Sequence, residues 1–357
     1  MVAFYVIVLL VLWCMHAVVG SWLGVLFPAL GVRWSLAYFP LLGALLCTGG
    51  MWFSRVNHGL FGQFLYYLSY MWFGFIFLAF CFWGVCWVVR GGLRLVHLPY
   101  LWMGPASLAG LAVIFAMALW GGFSTPKVKH IALQIPGMPK MRIALLADSH
   151  LGMGVTLERF DKAMRRLEAE RPDVLFAVGD IFEYGPNREK YAARLAQVKT
   201  PLGVYGVLGN HEYYVGYGDS KEFFKEAGIT LLENASTVLP NGVQVAGLKD
   251  IHTAGVTAQD VEDVLDALNK NHPIILLSHT PLHAEVAAQR GTNLMVSGHT
   301  HNGQLWPFNY LVRLQFPRVY GLFNVQGMNF YITSGLFYWG IPLRFLAPAE
   351  IPIIEVN

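Results

Sequence analysis

The chain has 357 residues, with 55% hydrophobic residues against 13% charged and a formal net charge of +3, a balance far from that of an ordinary soluble protein. The imbalance is uneven: residues 1–126 hold no Asp or Glu and four bases, Arg33, Arg55, Arg90 and Arg94, while all 22 acids and most of the 25 bases follow. An apolar half is thus joined to a water-soluble half of near-neutral charge, which excludes a basic surface large enough to grip nucleic acid.

The apolar half divides at charges and prolines into stretches 2–27, 35–53, 66–89 and 99–121, each near the roughly 20 residues a bilayer-crossing helix needs. They predict four transmembrane helices and a multi-pass integral membrane protein. A removable signal peptide fits poorly, because its apolar run would be shorter and stop at a small-residue cleavage site, whereas apolar segments here keep coming. A buried helical bundle in a soluble protein is the alternative. Orientation rests on few charges: Arg55, Lys127, Lys129 and Lys140 would share one side with the N-terminus, and Arg33, Arg90 and Arg94 the other, which leans towards a cytoplasm-facing catalytic domain in a bacterial inner membrane. All four cysteines, Cys14, Cys47, Cys81 and Cys86, lie in the apolar half. A metal in the soluble half must therefore be held by His, Asp, Glu or Asn.

We divide the chain into a transmembrane domain, residues 1–126, and a soluble domain, residues 127–357. In the latter, strand-like runs at 142–147, 174–179, 203–209, 243–248, 274–278 and 294–298 alternate with helix-like runs at 156–170, 187–199, 219–227, 257–269 and 283–290. That alternation predicts α/β layers with helices covering the sheet. Five of the strands end in polar clusters: "DSH" at 148–150, "GD" at 179–180, "GNH" at 209–211, "SH" at 278–279 and "GHTH" at 298–301. Ligands bind where strand ends gather at one edge of a layered sheet, so Asp148, His150, Asp180, Asn210, His211, His279, His299 and His301 are expected to converge.

Taken singly, a Gly-Asp after a strand is usually a turn and a lone His a hydrogen-bonded loop residue. Five histidines and two aspartates at strand ends, each beside a glycine or small residue, are better explained by something positive between them. Two divalent cations sharing a bridging carboxylate would use this set, with Asp180 suited to the bridge and Asn210 offering a neutral oxygen. The histidines favour transition metals such as Mn, Fe or Zn over calcium.

The ordered blocks "DSH…GDIFE…GNHE…SH…GHTH", spanning roughly residues 140 to 355, resemble the calcineurin-like metallophosphoesterases, in particular a bacterial membrane-associated branch that includes lipid-processing phosphoesterases. The resemblance implies a four-layer α/β domain, two packed β-sheets flanked by helices. It further implies one metal held by Asp148, His150, Asp180 and His301 and a second by Asp180, Asn210, His279 and His299. His211 would then bind the phosphate and protonate the leaving oxygen, Glu183 would orient it, and a hydroxide bridging the metals would attack phosphorus in line. Protein Ser/Thr phosphatases of the superfamily carry "GDxxDRG", with an Arg that clamps phosphate. Here the block is "GDIFEYG" with Tyr184 at that place, which disfavours a protein phosphatase.

Three further residues are candidates for substrate contact: Asp250 in "GLKD", and Arg313 and Arg318 in or beside the apolar, aromatic stretch 304–317. That stretch reads either as a buried hairpin or as a lip touching the bilayer. The expected substrate is a phosphoester or pyrophosphate, lipid-linked because four helices bring the site to a membrane, with the bilayer itself as partner and no nucleic acid. A nucleotide or cyclic-nucleotide phosphodiesterase, and a non-catalytic membrane sensor using the metal site to bind a ligand, are the alternatives.

Overall fold

Among the described residues, four helices are long and apolar enough to cross a membrane. α1 (Val2–Leu26) is the first. A 3-10 turn (Pro28–Leu30), α2 (Gly31–Arg33), a π turn (Trp34–Tyr38) and α3 (Phe39–Val56) together form the second, followed by α4 (Leu60–Leu95) and α5 (Met103–Phe123). α4 runs well past the expected 66–89, because Arg is a good helix former and Arg90 and Arg94 place their guanidinium groups over the Tyr100 ring at 5.2 and 5.1 Å. Several polar groups inside this unit pair with one another, the arrangement a lipid environment favours. Trp22 donates to the Ser107 hydroxyl at 2.9 Å, and Trp72 donates to His16 Nε2 at 3.1 Å while His16 Nδ1 donates to the Leu12 carbonyl at 2.8 Å.

The computed structural model describes residues 2–357, and two compact units emerge. The helical unit contains the chain up to Phe123 together with Gly340–Phe345, and the α/β unit contains Ser124–Trp339 and Leu346–Asn357. Within the helical unit the 340–345 segment is held by the Arg344 N–H donating to the Ala118 carbonyl at 2.9 Å and the Tyr66 hydroxyl donating to the Gly340 carbonyl at 3.0 Å. This return has no counterpart in a division drawn at residue 126.

The α/β unit is built on β1 (Lys127–Leu133), β2 (Met141–Leu146), β3 (Val174–Val178), β4 (Val204–Val207), β5 (Thr230–Leu231), β6 (Ala235–Val238), β7 (Gln244–Gly247), β8 (Ile274–Leu277), β9 (Leu294–Ser297), β10 (Gly321–Val325), β11 (Met328–Ile332) and β12 (Glu350–Val356). They form two six-stranded sheets, ordered β1-β12-β2-β3-β4-β5 and β10-β11-β9-β8-β7-β6. β2 to β5 and β7 to β9 are parallel runs, and β12 joins the first sheet antiparallel to β2 and parallel to β1.

The alternation of side chains along a strand divides the core into three layers. Ile143, Leu145, Phe176 and Val178 of the first sheet meet Val245, Ile275, Leu277 and Val296 of the second in a buried seam between the sheets. On the outer face of the first sheet, Ala144, Leu146, Leu175 and Ala177 pack against Phe160 and Met164 of α6 (Leu157–Ala169), Tyr191 of α7 (Arg188–Leu195) and Phe223 of α9 (Tyr217–Glu226). Outside the second sheet, Ala246, Leu276 and Met295 meet Val261 and Leu265 of α10 (Ala258–Asp266) and Ala284 and Ala287 of α11 (Ala284–Gln289). The layering is helix, sheet, sheet, helix, as the resemblance implied. Two short helices complete the unit: α8 (Asn210–Val215) and α12 (Asn309–Gln315). Stretch 304–317 is therefore not a hairpin: its centre is a helix with no buried residue.

Candidate metal centre

Each polar cluster follows directly on a parallel strand: 148–150 on β2, 179–180 on β3, 209–211 on β4, 278–279 on β8 and 298–301 on β9. Both sheets deliver their C-terminal strand ends to one place. There the backbone is bent into the left-handed region at five non-glycine residues, Asp148 (φ 51°), His150 (φ 41°), Asp180 (φ 53°), His299 (φ 72°) and His301 (φ 49°). Such conformations cost roughly 1–3 kcal/mol each and persist where the surroundings over-determine them, typically at functional sites.

Two groups of donors form. In the first, His150 Nε2 and His301 Nε2 face each other at 2.9 Å, Asp148 Oδ1 lies 3.5 Å from His301 Nε2, and Asp180 Oδ2 lies 3.9 Å from His150 Nε2. In the second, Asp180 Oδ2 is 3.2 Å from His279 Nε2, which is 3.3 Å from His299 Nδ1, itself 2.9 Å from Asn210 Oδ1. Asp180 belongs to both. Asp148, His150 and His301, and again Asp180, His279 and His299, could each hold a metal ion.

Orientation of the donors is fixed from behind. His150 Nδ1 donates to Glu183 Oε1 at 2.9 Å, and His279 Nδ1 donates to the Val178 carbonyl at 2.8 Å, so both Nε2 atoms face the cleft. The His299 N–H donates to both Asp148 oxygens at 2.9 and 3.1 Å. Glycines let these groups approach. A Cβ on Gly298 would stand 2.5 Å from Asp148 Oδ2, and one on Gly209 would collide with Asp180 Oδ1.

The charges reinforce a cation site. Burial opposes ionisation of Asp180, but His279 and His211 outweigh it and hold its carboxyl well below the usual range. In return Asp180 outweighs burial at His279 and draws a proton onto it well above the ordinary histidine value. Burial, joined by the neighbouring His279, pushes His299 down to about 4, leaving it neutral and able to ligate. Burial pushes Asp148 up to about 6. The protons gathered on the histidines stand in for positive charge that divalent ions would bring, so the donor set fits such ions.

Beside the donors stands His211. Its Nδ1 donates to Glu183 Oε1 at 2.6 Å, its N–H donates to Asp180 Oδ1 at 2.9 Å, and its Nε2 lies 4.0 Å from Asp180 Oδ2. Burial works against protonation, but Asp180 and Glu183 prevail and raise its pKa to about 9. Glu183, shared by His150 and His211, is held down to about 2 by those hydrogen bonds against burial.

Of the three remaining candidates, Asp250 stands behind the donors, its charge felt by His279 and His299, while Arg313 and Arg318 are engaged elsewhere. The Asp250 carboxylate is buried and accepts from the Thr280 hydroxyl at 2.6 Å and from the Thr253 N–H and hydroxyl at 2.9 and 2.6 Å, so it braces the loop after His279. Arg313 lies over the Tyr310 ring at 5.8 Å on α12. Arg318 pairs with Glu285 at 2.8 Å.

Sequence reasoning missed several residues. Glu212, the acid of "GNHE", is buried and accepts four backbone N–H groups, from Gly209 at 2.7, Asp180 at 2.8, Ile181 at 2.7 and Phe182 at 3.0 Å. It thereby stitches the "GD" loop to the "GNH" loop. Tyr214 and Trp339 flank His211, ring centroids 5.3 and 5.5 Å away. His252 and Phe316 flank His299 at 6.2 and 5.1 Å. The acid directly after "GNH" could have pointed to Glu212; nothing local signals aromatics supplied from residues 316 and 339.

Residues 141–303 match the family model for calcineurin-like phosphoesterase. A metallophosphoesterase of Campylobacter jejuni is 34% identical over 258 residues, covering 70% of this chain and 69% of that protein. A bovine transmembrane protein with metallophosphoesterase domain is 33% identical over 264 residues, covering 67% of this chain and 59% of its own; relatives are therefore not confined to bacteria. Among solved structures, Haemophilus influenzae NAD nucleotidase aligns with 56% of this chain at 16% identity and a TM-score of 0.40, the match covering 46% of that longer chain. The chain belongs to the calcineurin-like metallophosphoesterases, and is a membrane protein of that family with a metal-dependent phosphohydrolase domain.

Proposed function

We propose that the protein is a membrane-anchored phosphoesterase using two divalent ions, one held by Asp148, His150, Asp180 and His301 and the other by Asp180, Asn210, His279 and His299, to hydrolyse a lipid-linked phosphoester or pyrophosphate. The observation that carries this reading is the pair of donor groups sharing Asp180. Mn, Fe or Zn suits the imidazole and carboxylate donors. Bound there, such ions lower the pKa of water and offset charge on phosphoryl oxygens.

The chain's own residues do the rest. Glu183 binds the His211 Nδ1 proton, which leaves His211 Nε2 as the end that can hand a proton to a departing oxygen. With its pKa raised to about 9, His211 carries that proton at neutral pH. Glu212 keeps the Asp180 and His211 loops in register, and the Tyr214 and Trp339 rings beside His211 and the Phe316 ring beside His299 offer apolar faces flanking the donors. The lipid-linked substrate is supported by four membrane helices and by the apolar surface beside the cleft, and the few charges flanking the helices favour a cytoplasm-facing domain.

The test is hydrolysis of bis-p-nitrophenyl phosphate and p-nitrophenyl phosphate by detergent-purified protein loaded with manganese, with bound metal quantified. Asp180→Asn is expected to lose both metal and activity. His211→Ala should keep its metal and lose about 10²–10⁴-fold in turnover, the usual contribution of a general acid. Full activity in His211→Ala, or full metal in Asp180→Asn, overturns the assignment.

A further inference from the structure

Residues 286–349 contain no Asp or Glu, although they carry Arg290, Arg313, Arg318 and Arg344. Within this run α12 follows four residues after Leu305, directly downstream of the histidine loop. The surface here is unusual for a protein facing water: Leu314 is 84% exposed, Leu311 58% and Tyr310 56%, with Trp306 and Phe308 also more than two-fifths exposed. Five large apolar side chains exposed within nine residues form a patch of the kind that marks an interaction site.

We infer that this face of α12 docks into the lipid bilayer and holds the mouth of the metal centre at the lipid–water boundary. Three observations select a bilayer over a protein partner. First, composition: Trp, Phe, Tyr and Leu with a flanking arginine and no acid is the make-up of helices that lie in the interfacial plane, and Arg313, beside the Tyr310 ring, is the charge that complements anionic head groups, since Arg290 and Arg318 pair with acids and Arg344 is buried. Second, tethering: the chain carries four helices long and apolar enough to cross a bilayer, and once these are inserted contact with lipid is intramolecular in effect, so even a small apolar patch engages. Third, continuity: the Gln304 side chain donates to the Trp339 carbonyl at 3.2 Å and accepts the Trp339 N–H at 2.8 Å, and Trp339 is covalently followed by Gly340, where the chain joins the helical unit. The loop that leads from His301 to α12 is thus tied to a residue one peptide bond from the segment 340–345 that groups with the apolar helices. The inference rests on the phosphoesterase reading in one respect: docking serves a substrate whose phosphate lies at a bilayer surface.

The experiment uses the full chain, with its four native cysteines replaced by alanine, in nanodiscs of equal parts phosphatidylcholine and phosphatidylglycerol. A nitroxide is placed by Leu314→Cys and, as control, by Lys225→Cys, a position fully in water with a 79% exposed side chain. Collision with oxygen is expected to dominate at Leu314 and collision with a water-soluble nickel chelate at Lys225, the ratio placing the Leu314 label about 5–10 Å into the head-group and acyl boundary. Nickel access at Leu314 equal to that at Lys225 overturns the inference, and so does shielding from both probes, which would show a protein neighbour covering the face. Metal content and p-nitrophenyl phosphate hydrolysis in the same discs keep the two readings separate. Active discs with a water-exposed label sink the docking alone; metal-free, inactive discs with a lipid-buried label sink the phosphoesterase reading alone.

Discussion

His211 and Glu212 are neighbours in sequence with opposite duties. The proton on His211 is drawn there by Asp180 and Glu183. Because its pKa is raised to about 9, the acid form is present throughout neutral pH and lost only above it. A plot of kcat/KM against pH is therefore expected to fall on the basic side near that value, and the fall should vanish in His211→Ala. Glu212 acts through others: its carboxylate satisfies four buried N–H donors, two on each oxygen. Burial, joined by Asp180, pushes the carboxyl up to about 7 while those donors pull it back. Glu212→Gln leaves one oxygen and so strands two donors, at about 1–3 kcal/mol each. Thermal unfolding should begin at visibly lower temperature, with metal affinity falling in the same variant; an unchanged melting curve would deny Glu212 its bracing role.

At the level of elements, the strands most readable from sequence are those that deliver the chemistry. β2, β3, β4, β7, β8 and β9 are mostly apolar runs ending at glycine or a polar pair, the pattern of strands buried on both faces; five of the six expected runs contain one, and the sixth, 142–147, overlaps β2 with its start one residue late. β12 escaped notice because Pro352 interrupts "EIPIIEV", and a proline usually argues against an interior strand. The rule fails here for a local reason: in the parallel pairing with β1, Pro352 lies opposite Lys129, whereas the ladder to β2 begins only at Ile353. Boundaries were least legible where caps misled. α6 does begin at Thr156, whose side chain accepts from the Arg159 N–H, but Asn187 before α7 is left-handed and makes no side-chain cap. The donor residues were legible because glycines mark their loops. Gly298→Ala tests that reading at the element scale: its Cβ would meet Asp148 Oδ2 at 2.5 Å and Ala147 Cβ at 3.0 Å. Since neither the buried strand end nor the carboxylate has room to retreat, calorimetric titration with manganese should show affinity down by about tenfold, equivalent to ~1.4 kcal/mol, while circular dichroism is unchanged.

For the whole molecule, composition told most about the helical unit and least about how the two halves share the chain. The absence of acids before residue 127 announces the membrane spans, but nothing in "GIPLRF" announces that residues 340–345 belong with them. An even number of spans puts both chain ends on one side. A phosphatase reporter fused after Asn357 should therefore be silent, and a cytoplasmic fluorescent reporter bright, if the metal centre faces the cytoplasm; the reverse pattern would move the substrate pool to the other leaflet.

The position of β12 between β1 and β2 has a consequence in time as well as space. Among the described residues β1 touches the rest of its sheet only through β12, so the first sheet stays split until residues 350–356 have been made and have docked. The apolar helices precede β12 in the chain and are synthesised before it. Until β12 docks, the β1 and β2 edges stand unpaired, the state most prone to wrong pairing. Removing residues 350–356 would make that vulnerable interval permanent.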